Sequence, residues 1–446
     1  MGKKHVISAG ANVAAIAISA AAGSTKKSRK PLLAGAVALA LTLAASACAA
    51  SPNGGKAEQL TILTGDGLAT PRGKSLTSMA KEFTKSTGIK VKVLAGGANT
   101  KSFYESSVLA HKEADIVLAN LDAESTSWLK IKAAIPVTQY MKAWGLTKVI
   151  PEEAVKDWTT NGQLQAFPYL AFQWPVMYNK ALLEKAGVNT IPATTDDLIA
   201  AAAKLRAIGV APMAIGGNDY SGEKLFFQVL QNYLPQNQAQ KLFATGGYCQ
   251  NQQAIKGIDL FVKMRDAGVF VDNAQGLSAD NMSALYDASK AAMEPQGSWG
   301  FMTVPQDIAK STVLAGLPVP SDAVFSKPTA YQGTIGQGIW VSPNGSKKLA
   351  AVEKLVKFLF SPAIAASWPA QTGDLVNAQL SDTELAKAPQ LLRDAMKLPT
   401  IVDYAVLPDA YLPAKVGTSI NPVTSLAFTK GTSSKQICGA LDQVYS

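Results

Sequence analysis

The chain has 446 residues, 48% hydrophobic, 17% charged and 7% aromatic. That length is about three times a typical domain of roughly 150 residues, and the composition excludes a disordered tail, a coiled coil and a polytopic membrane protein, so two packed globular domains are expected. The net charge of +10 is uneven: residues 1–47 carry six basic residues and no acid, leaving 36 of the 42 basic residues against all 32 acidic ones. A body at +4 has no electrostatic footprint for nucleic acid.

In chain order, the cluster Lys26 to Lys30 precedes Pro31, an uncharged run extends from Leu32 to Ala47, and Ala45-Ser46-Ala47 stand directly before Cys48. A basic region, a short apolar stretch and small residues before a cut are the parts of a secretory signal, shorter than the ~20 residues of a membrane span. The segment resembles the lipobox of bacterial lipoproteins, with Ala45 where leucine is usual and Leu43 two residues earlier. The resemblance implies that residues 1–47 are a lipoprotein signal peptide and that Cys48 takes a diacylglycerol. The body is then exported and lipid-anchored on the outer face of the cytoplasmic membrane. Residues 48–57, with Pro, Gly, Ser and charge but no periodicity, read as a flexible tether.

The body opens with Leu60 to Leu63 as a short strand ended by Gly65-Asp66-Gly67. Leu76, Met79, Ala80 and Phe83 then put an apolar stripe on a helix that stops at Gly88. Ile89, Val91 and Val93 alternate with lysines as a second strand, a helix is expected across Phe103 to Lys112, and Ile116 to Ala119 form a third strand. This order argues a parallel sheet of the doubly wound kind, an α/β fold. Small molecules bind beyond the carboxyl ends of such strands, which directs attention to Asp66 and Gly67 after the first strand and to Asn120 and Asp122 after the third. Short polar side chains there suit hydroxyl groups, and they also suit plain turns and helix caps.

A second unit begins near Pro168. Val176 to Tyr178 read as a strand, Lys180 to Ala186 as a short helix closed by Gly187, and Thr194 to Asp197 as a helix cap ahead of Leu198, Ala201, Ala202 and Leu205. The apolar stretch Val210 to Ile215 completes what reads as a further crossover unit. Cys249 and Cys438 are a pairable couple in an exported, oxidising setting, either bridged or left as two buried thiols. His111 is the one histidine after the leader, so neither a histidine zinc cluster nor a triad is at hand. No nucleophile elbow, phosphate-binding loop or metalloprotease motif occurs, and no catalytic residue, metal or cofactor is assigned.

Four stretches carry a wider resemblance: Trp158 to Gly162 with Gln165-Ala166-Phe167-Pro168 and Met177 to Gly187; Lys290 to Trp299; Gly333 to Pro343; and Ala350 to Pro362 followed by Gly373. In this order they resemble the extracellular solute-binding proteins of bacterial ABC importers (family 1, carbohydrate type), with Ala166 where that family usually has glycine. The resemblance covers nearly all of residues 58–446. It implies a bilobal periplasmic-binding-protein-like fold (type II), two doubly wound α/β lobes joined by hinge crossovers near Pro168 to Phe172, near Gln332 and after Gly373. Lobe 1 would then comprise residues 58–168 and 333–376, and lobe 2 residues 169–332 and 377–446.

The implied role is capture without chemistry: a sugar or oligosaccharide held between the lobes by a monomer and handed to an ABC transporter permease. Trp299 stands where sugar-binding relatives place a stacking indole, and sugar C–H faces stack on aromatic rings while hydroxyls need planar polar partners. Phe172, Gln173 and Trp174 lie in the first crossover, Asn218 and Asp219 follow a strand of the second lobe, and Glu294 and Gln332 complete the candidate set. Trp128, Trp158, Trp340 and Trp368 are expected in the core. Other solutes remain open, since Asp66, Asp122 and Asp219 could serve a polyamine, and peptides or anions are further choices. A glycoside hydrolase would need two positioned carboxylates.

Overall fold

Short apolar strands alternate with amphipathic helices from the first described residue onward. The computed structural model describes residues 59–446 apart from Ala123 and Thr418; the signal segment 1–47, Cys48 and the tether 48–57 lie outside the described residues. Strands β1 (Gln59–Thr64), β2 (Lys90–Ala95) and β3 (Ile116–Ala119) pair in parallel, Leu60 opposite Val91 and Ile62 opposite Ile116. The helix Pro71–Thr87 between the first two starts on the Thr70 side chain, which accepts from the Gly73 N–H, and ends on Gly88 at φ 75°. It buries Leu76, Met79, Ala80 and Phe83. The next helix, Thr100–Leu109, is displaced from the expected Phe103 to Lys112, because His111 takes φ 52° and stops it.

A small hairpin, β4 (Thr159–Thr160) with β5 (Gln163–Leu164), leads into β6 (Phe167–Trp174). Then follow β7 (Val176–Asn179), β8 (Ala211–Met213), β9 (Ala291–Pro295), β10 (Thr312–Ala315), β11 (Thr329–Val341), β12 (Leu375–Val376) and β13 (Asp403–Tyr404). Two larger sheets result. The first has seven strands in the order β12-β6-β11-β3-β1-β2, with β13 paired to the start of β11; the second has four, β10-β7-β9-β8.

The parallel arrangement expected for the first sheet holds for β2, β1 and β3, while β11 runs antiparallel to both β3 and β6. In the second sheet β8 and β9 are parallel, but β7 is antiparallel to β9 and is not a neighbour of β8, which corrects the simple crossover unit read from Val176 to Ile215. The cause is the hinge. Only Pro175 separates β6 from β7, so β7 starts at the boundary between the sheets and runs away from it, whereas β9 runs back and ends at that boundary, with Pro295 opposite Val176.

Each sheet has its own core. Trp128, Trp158, Trp340 and Trp368 are fully buried in the first. The second is built on phenylalanines such as Phe226, Phe227, Phe243 and Phe261. A small third cluster, Phe172, Trp174, Tyr331 and Ala405, lies between them with Trp299 packed against it. After β12 the chain returns to the second sheet, where Leu391 and Leu392 pack with Met177, Tyr286 and Leu314. Cys249 and Cys438 form a disulfide with their Cα atoms 5.1 Å apart.

Candidate functional site

A cavity of about 260 Å³ opens where strand ends of both sheets meet. Asn120 and Leu121 reach it from the end of β3, Phe172 and Trp174 from β6, Tyr220 from the start of the helix that follows β8 and Trp299 from the turn after β9. The Trp299 turn depends on glycine: a Cβ on Gly297 would stand 2.2 Å from the indole, so only a bare backbone lets the ring fold over its own turn. The indole meets Phe172 and Trp174 edge to face at centroid separations of 5.5 and 5.1 Å, and Trp174 meets Tyr220 at 5.9 Å. The result is an aromatic wall. Burial is the first reason why the Tyr220 hydroxyl is held above its ordinary pKa, and it stays a neutral donor and acceptor.

The charged groups of the cavity are paired with partners in and beside it. Arg72, in the first turn of its helix, grips Asp374 by two hydrogen bonds of 2.6 and 2.5 Å, lies 3.5 Å from Asp66, and has its guanidinium carbon 5.8 Å from the centre of the Trp299 ring. Burial works against that charge, but Asp374 and then Asp66 outweigh it and raise the arginine pKa. Deeper in, the buried Lys224 ammonium lies 2.8 Å from Glu223 and 3.0 Å from Asp409. Here too burial opposes the charge, and Asp409 with Glu223 raises the lysine pKa above its usual range. An adjoining cavity of about 330 Å³ shares Asn120, Tyr220, Lys224 and Asp409, and adds Lys101, which contacts Asp122 and lies 3.9 Å from Glu124.

Of the residues singled out in the sequence, Asn120, Phe172, Trp174 and Trp299 line the main cavity and Asp122 the adjoining one. Asp66 stands one step behind, joined to Arg72 and receiving a hydrogen bond of 3.2 Å from Gln337. Gly67 is an exposed turn residue whose carbonyl accepts from the Thr70 N–H at 2.9 Å. Gln173 and Gln332 are bonded to each other at 3.4 Å, and Gln173 also accepts from the Tyr404 hydroxyl at 2.8 Å, so both belong to the strand pairing at the hinge.

Asp219 lies outside both cavities. It caps the helix Tyr220–Leu230, accepting from the Ser221 N–H at 3.0 Å, and also takes the Ala279 N–H at 2.5 Å; Asn218 is exposed beside it. Glu294 is 1% exposed and also away from the cavities, accepting from Ser283 and Gln296 at 2.8 Å each. Burial pushes its carboxyl up to about 8, so at neutral pH it carries a proton. Sequence reading missed Arg72, Tyr220, Lys224, Asp374 and Asp409. Tyr220 had a signal, the aromatic directly after a capping aspartate. Arg72 and Asp374 had none, being 302 positions apart.

Residues 67–366 match the family of bacterial extracellular solute-binding proteins, and the chain belongs to that family. Its members are exported binding proteins, and among the described residues no helix is long and apolar enough to cross a membrane. In three dimensions the chain is similar to a probable secreted solute-binding lipoprotein from Streptomyces coelicolor, with 36% identity, a TM-score of 0.77, and 87% of this chain and 98% of that one covered. In sequence it is 28% identical over 238 residues to an ABC transporter extracellular-binding protein of Pyrococcus horikoshii, spanning 51% of this chain and about half (52%) of that relative. It is also 27% identical over 319 residues to a probable sugar-binding periplasmic protein of Rhizobium meliloti, 66% of this chain and 68% of the relative. The bilobal fold and the solute-binding class expected from the sequence motifs are thereby established.

Proposed function

We propose that this protein captures an uncharged sugar or oligosaccharide in the cleft between its lobes and delivers it to the permease of an ABC transporter. The observation that carries the reading is the composition of the cavity: an aromatic wall of Phe172, Trp174, Tyr220 and Trp299 faces charged groups that are already held by partners, Arg72 by Asp374 and Asp66 and Lys224 by Glu223 and Asp409. Aromatic faces suit the C–H faces of a sugar, and Asn120, Arg72 and Asp374 supply planar groups for its hydroxyls. An anion would meet more carboxylates than cations here, and a polyamine would have to compete with Arg72 for Asp66, with Lys101 for Asp122 and with backbone amides for Asp219. The name of the Rhizobium meliloti relative points the same way.

In this reading the lobes are residues 58–168 with 333–376 and 169–332 with 377–446. A sugar touching both walls binds the closed arrangement better than the open one, and so shifts the population toward the form the permease accepts. The protein acts as a monomer, held to the outer face of the cytoplasmic membrane by a lipid on Cys48, and no covalent step on the solute is involved.

A thermal-shift screen of the purified protein tests the reading, with mono- and oligosaccharides against polyamines, amino acids, peptides and phosphate. At a hundredfold excess over its Kd a ligand stabilises the native state by about 2.7 kcal/mol, a readily visible shift. A selective response to one group of sugars is the expected outcome. A response confined to the charged set would keep the importer role and overturn the sugar assignment.

A further inference from the structure

The turn that carries Trp299 is fastened to the hinge through a single residue. Gln296 directly follows β9 and is 6% exposed. Its N–H donates at 3.0 Å to the carbonyl of Pro175, the residue between β6 and β7. Its Nε2 donates to Glu294 Oε1 at 2.8 Å and to Ser283 Oγ at 2.9 Å, while its Oε1 accepts from the Gly297 N–H at 2.9 Å. Ser283 Oγ in turn donates to Glu294 Oε1 at 2.8 Å, which closes a ring of three polar side chains. The far end of the turn rests on the same amide, since a Cβ on Gly300 would stand 2.5 Å from Gln296 Cδ.

An amide side chain offers donors on one atom and an acceptor on the other, and here both sides are used. Gln296 itself does not line the cavity, so any influence on a solute passes through the indole. We infer that Gln296 is the positioning residue for Trp299: its backbone N–H anchors it to the hinge carbonyl and its side chain braces the Gly297–Gly300 turn on that anchor, so that the crossover between the lobes sets the angle of the stacking ring. The inference rests on the reading of Trp299 as a surface for the solute, but its geometry concerns this chain alone.

The test uses no ligand. Acrylamide quenching of Trp299 is obtained as the difference between each protein and its Trp299→Phe partner, for the unsubstituted chain, Gln296→Ala, Gln296→Asn and the exchanged pair Glu294→Gln with Gln296→Glu. Gln296→Ala is expected to raise the Trp299 quenching constant about twofold, Gln296→Asn to raise it less, and the exchanged pair to restore it, because the donor and acceptor roles are kept with the partners swapped. Unchanged Trp299 quenching in Gln296→Ala, with only a lower Tm, overturns the inference. So does a folded exchanged pair that fails to restore the quenching. If Gln296→Ala does not fold, the asparagine variant and the exchanged pair decide by the same criterion. A screen in which no sugar binds leaves this result standing, and a null result here leaves the sugar reading untouched.

Discussion

The first core is filled by tryptophan: Trp128, Trp144, Trp158, Trp340 and Trp368 pack around the seven-stranded sheet. The second core holds none, and relies on phenylalanines over a four-stranded sheet with a disulfide at its margin. In the first, indole nitrogens tie the filling to the frame, Trp158 donating to the Thr334 carbonyl at 2.8 Å and Trp340 to that of Ala119 at 3.0 Å. In the second, Cys438 on the last helix, Ser434–Gln443, lies 189 positions beyond Cys249 and is joined to it by the covalent bridge. A broad sheet organises distant segments by its own ladder; a narrow one leaves more of that task to helices and a staple. The tryptophans of the cleft, Trp174 and Trp299, belong to neither core.

If that contrast is right, the bridge is where the second lobe is most vulnerable. Replacing Cys249 and Cys438 by serine should cost about 5 kcal/mol in the chain-entropy model, read as a lower denaturation midpoint, with no matching loss in the first lobe. A midpoint unchanged by the double substitution would show that the C-terminal helix is held by packing alone.

The tryptophans themselves sharpen the comparison. Trp340→Ala should cost about 3 to 5 kcal/mol of stability, as for other large aromatic truncations in a core. Trp299→Ala should leave the midpoint nearly unchanged and weaken solute binding by about tenfold or more. Isothermal titration beside thermal unfolding separates the two. Equal losses of stability would place Trp299 in the core after all.

A further effect, spread over several pH units, concerns Glu294, buried beneath the cleft turn. Its carboxyl keeps its proton to about 8 in the folded chain but only to ~4.3 when unfolded, so within that window the native state binds more protons. Stability from this group is therefore complete below pH ~4.3 and is lost as pH rises through about 8, with a slope of up to ~1.4 kcal/mol per unit. Its charged neighbour Asp287 adds to the shift, and the hydrogen bonds from Ser283 and Gln296 oppose it. Glu294→Gln should flatten the stability profile between pH 5 and 8, as measured by urea denaturation across that range. An unaltered slope would mean that the carboxyl is ionised at neutral pH.

Much of the frame was legible in the sequence because it is written locally. Gly88, Gly187 and the Thr194–Asp197 capping box mark helix ends by chemistry that needs no tertiary partner. The strand directions in the second sheet were not legible, since they follow from where Pro175 delivers the chain. For the site, the strand-end rule found Asn120 and Asp122, and the motifs found Trp299. The same rule chose Asp219, whose carboxylate is engaged by the helix it caps, and overlooked the Tyr220 ring beside it. Arg72 and Asp374 became partners only when the fold joined them, and Gly373, at φ 77°, is what aims Asp374 inward.

The placing of β11 has one more consequence. It lies between β3 and β6, yet its residues, 329–341, come after the whole body of the second sheet. As the chain emerges N-terminus first, the leading sheet has a gap at its centre, and β6 has no edge to join until residue 329 and beyond arrive. Until then both flanks of the gap present unpaired backbone, a surface that invites wrong pairing. Maturation of the first lobe is thus a late event set by chain delivery, and a chain stalled before β11 would carry the three-stranded sheet β2-β1-β3 and a lone β6 with nothing to unite them.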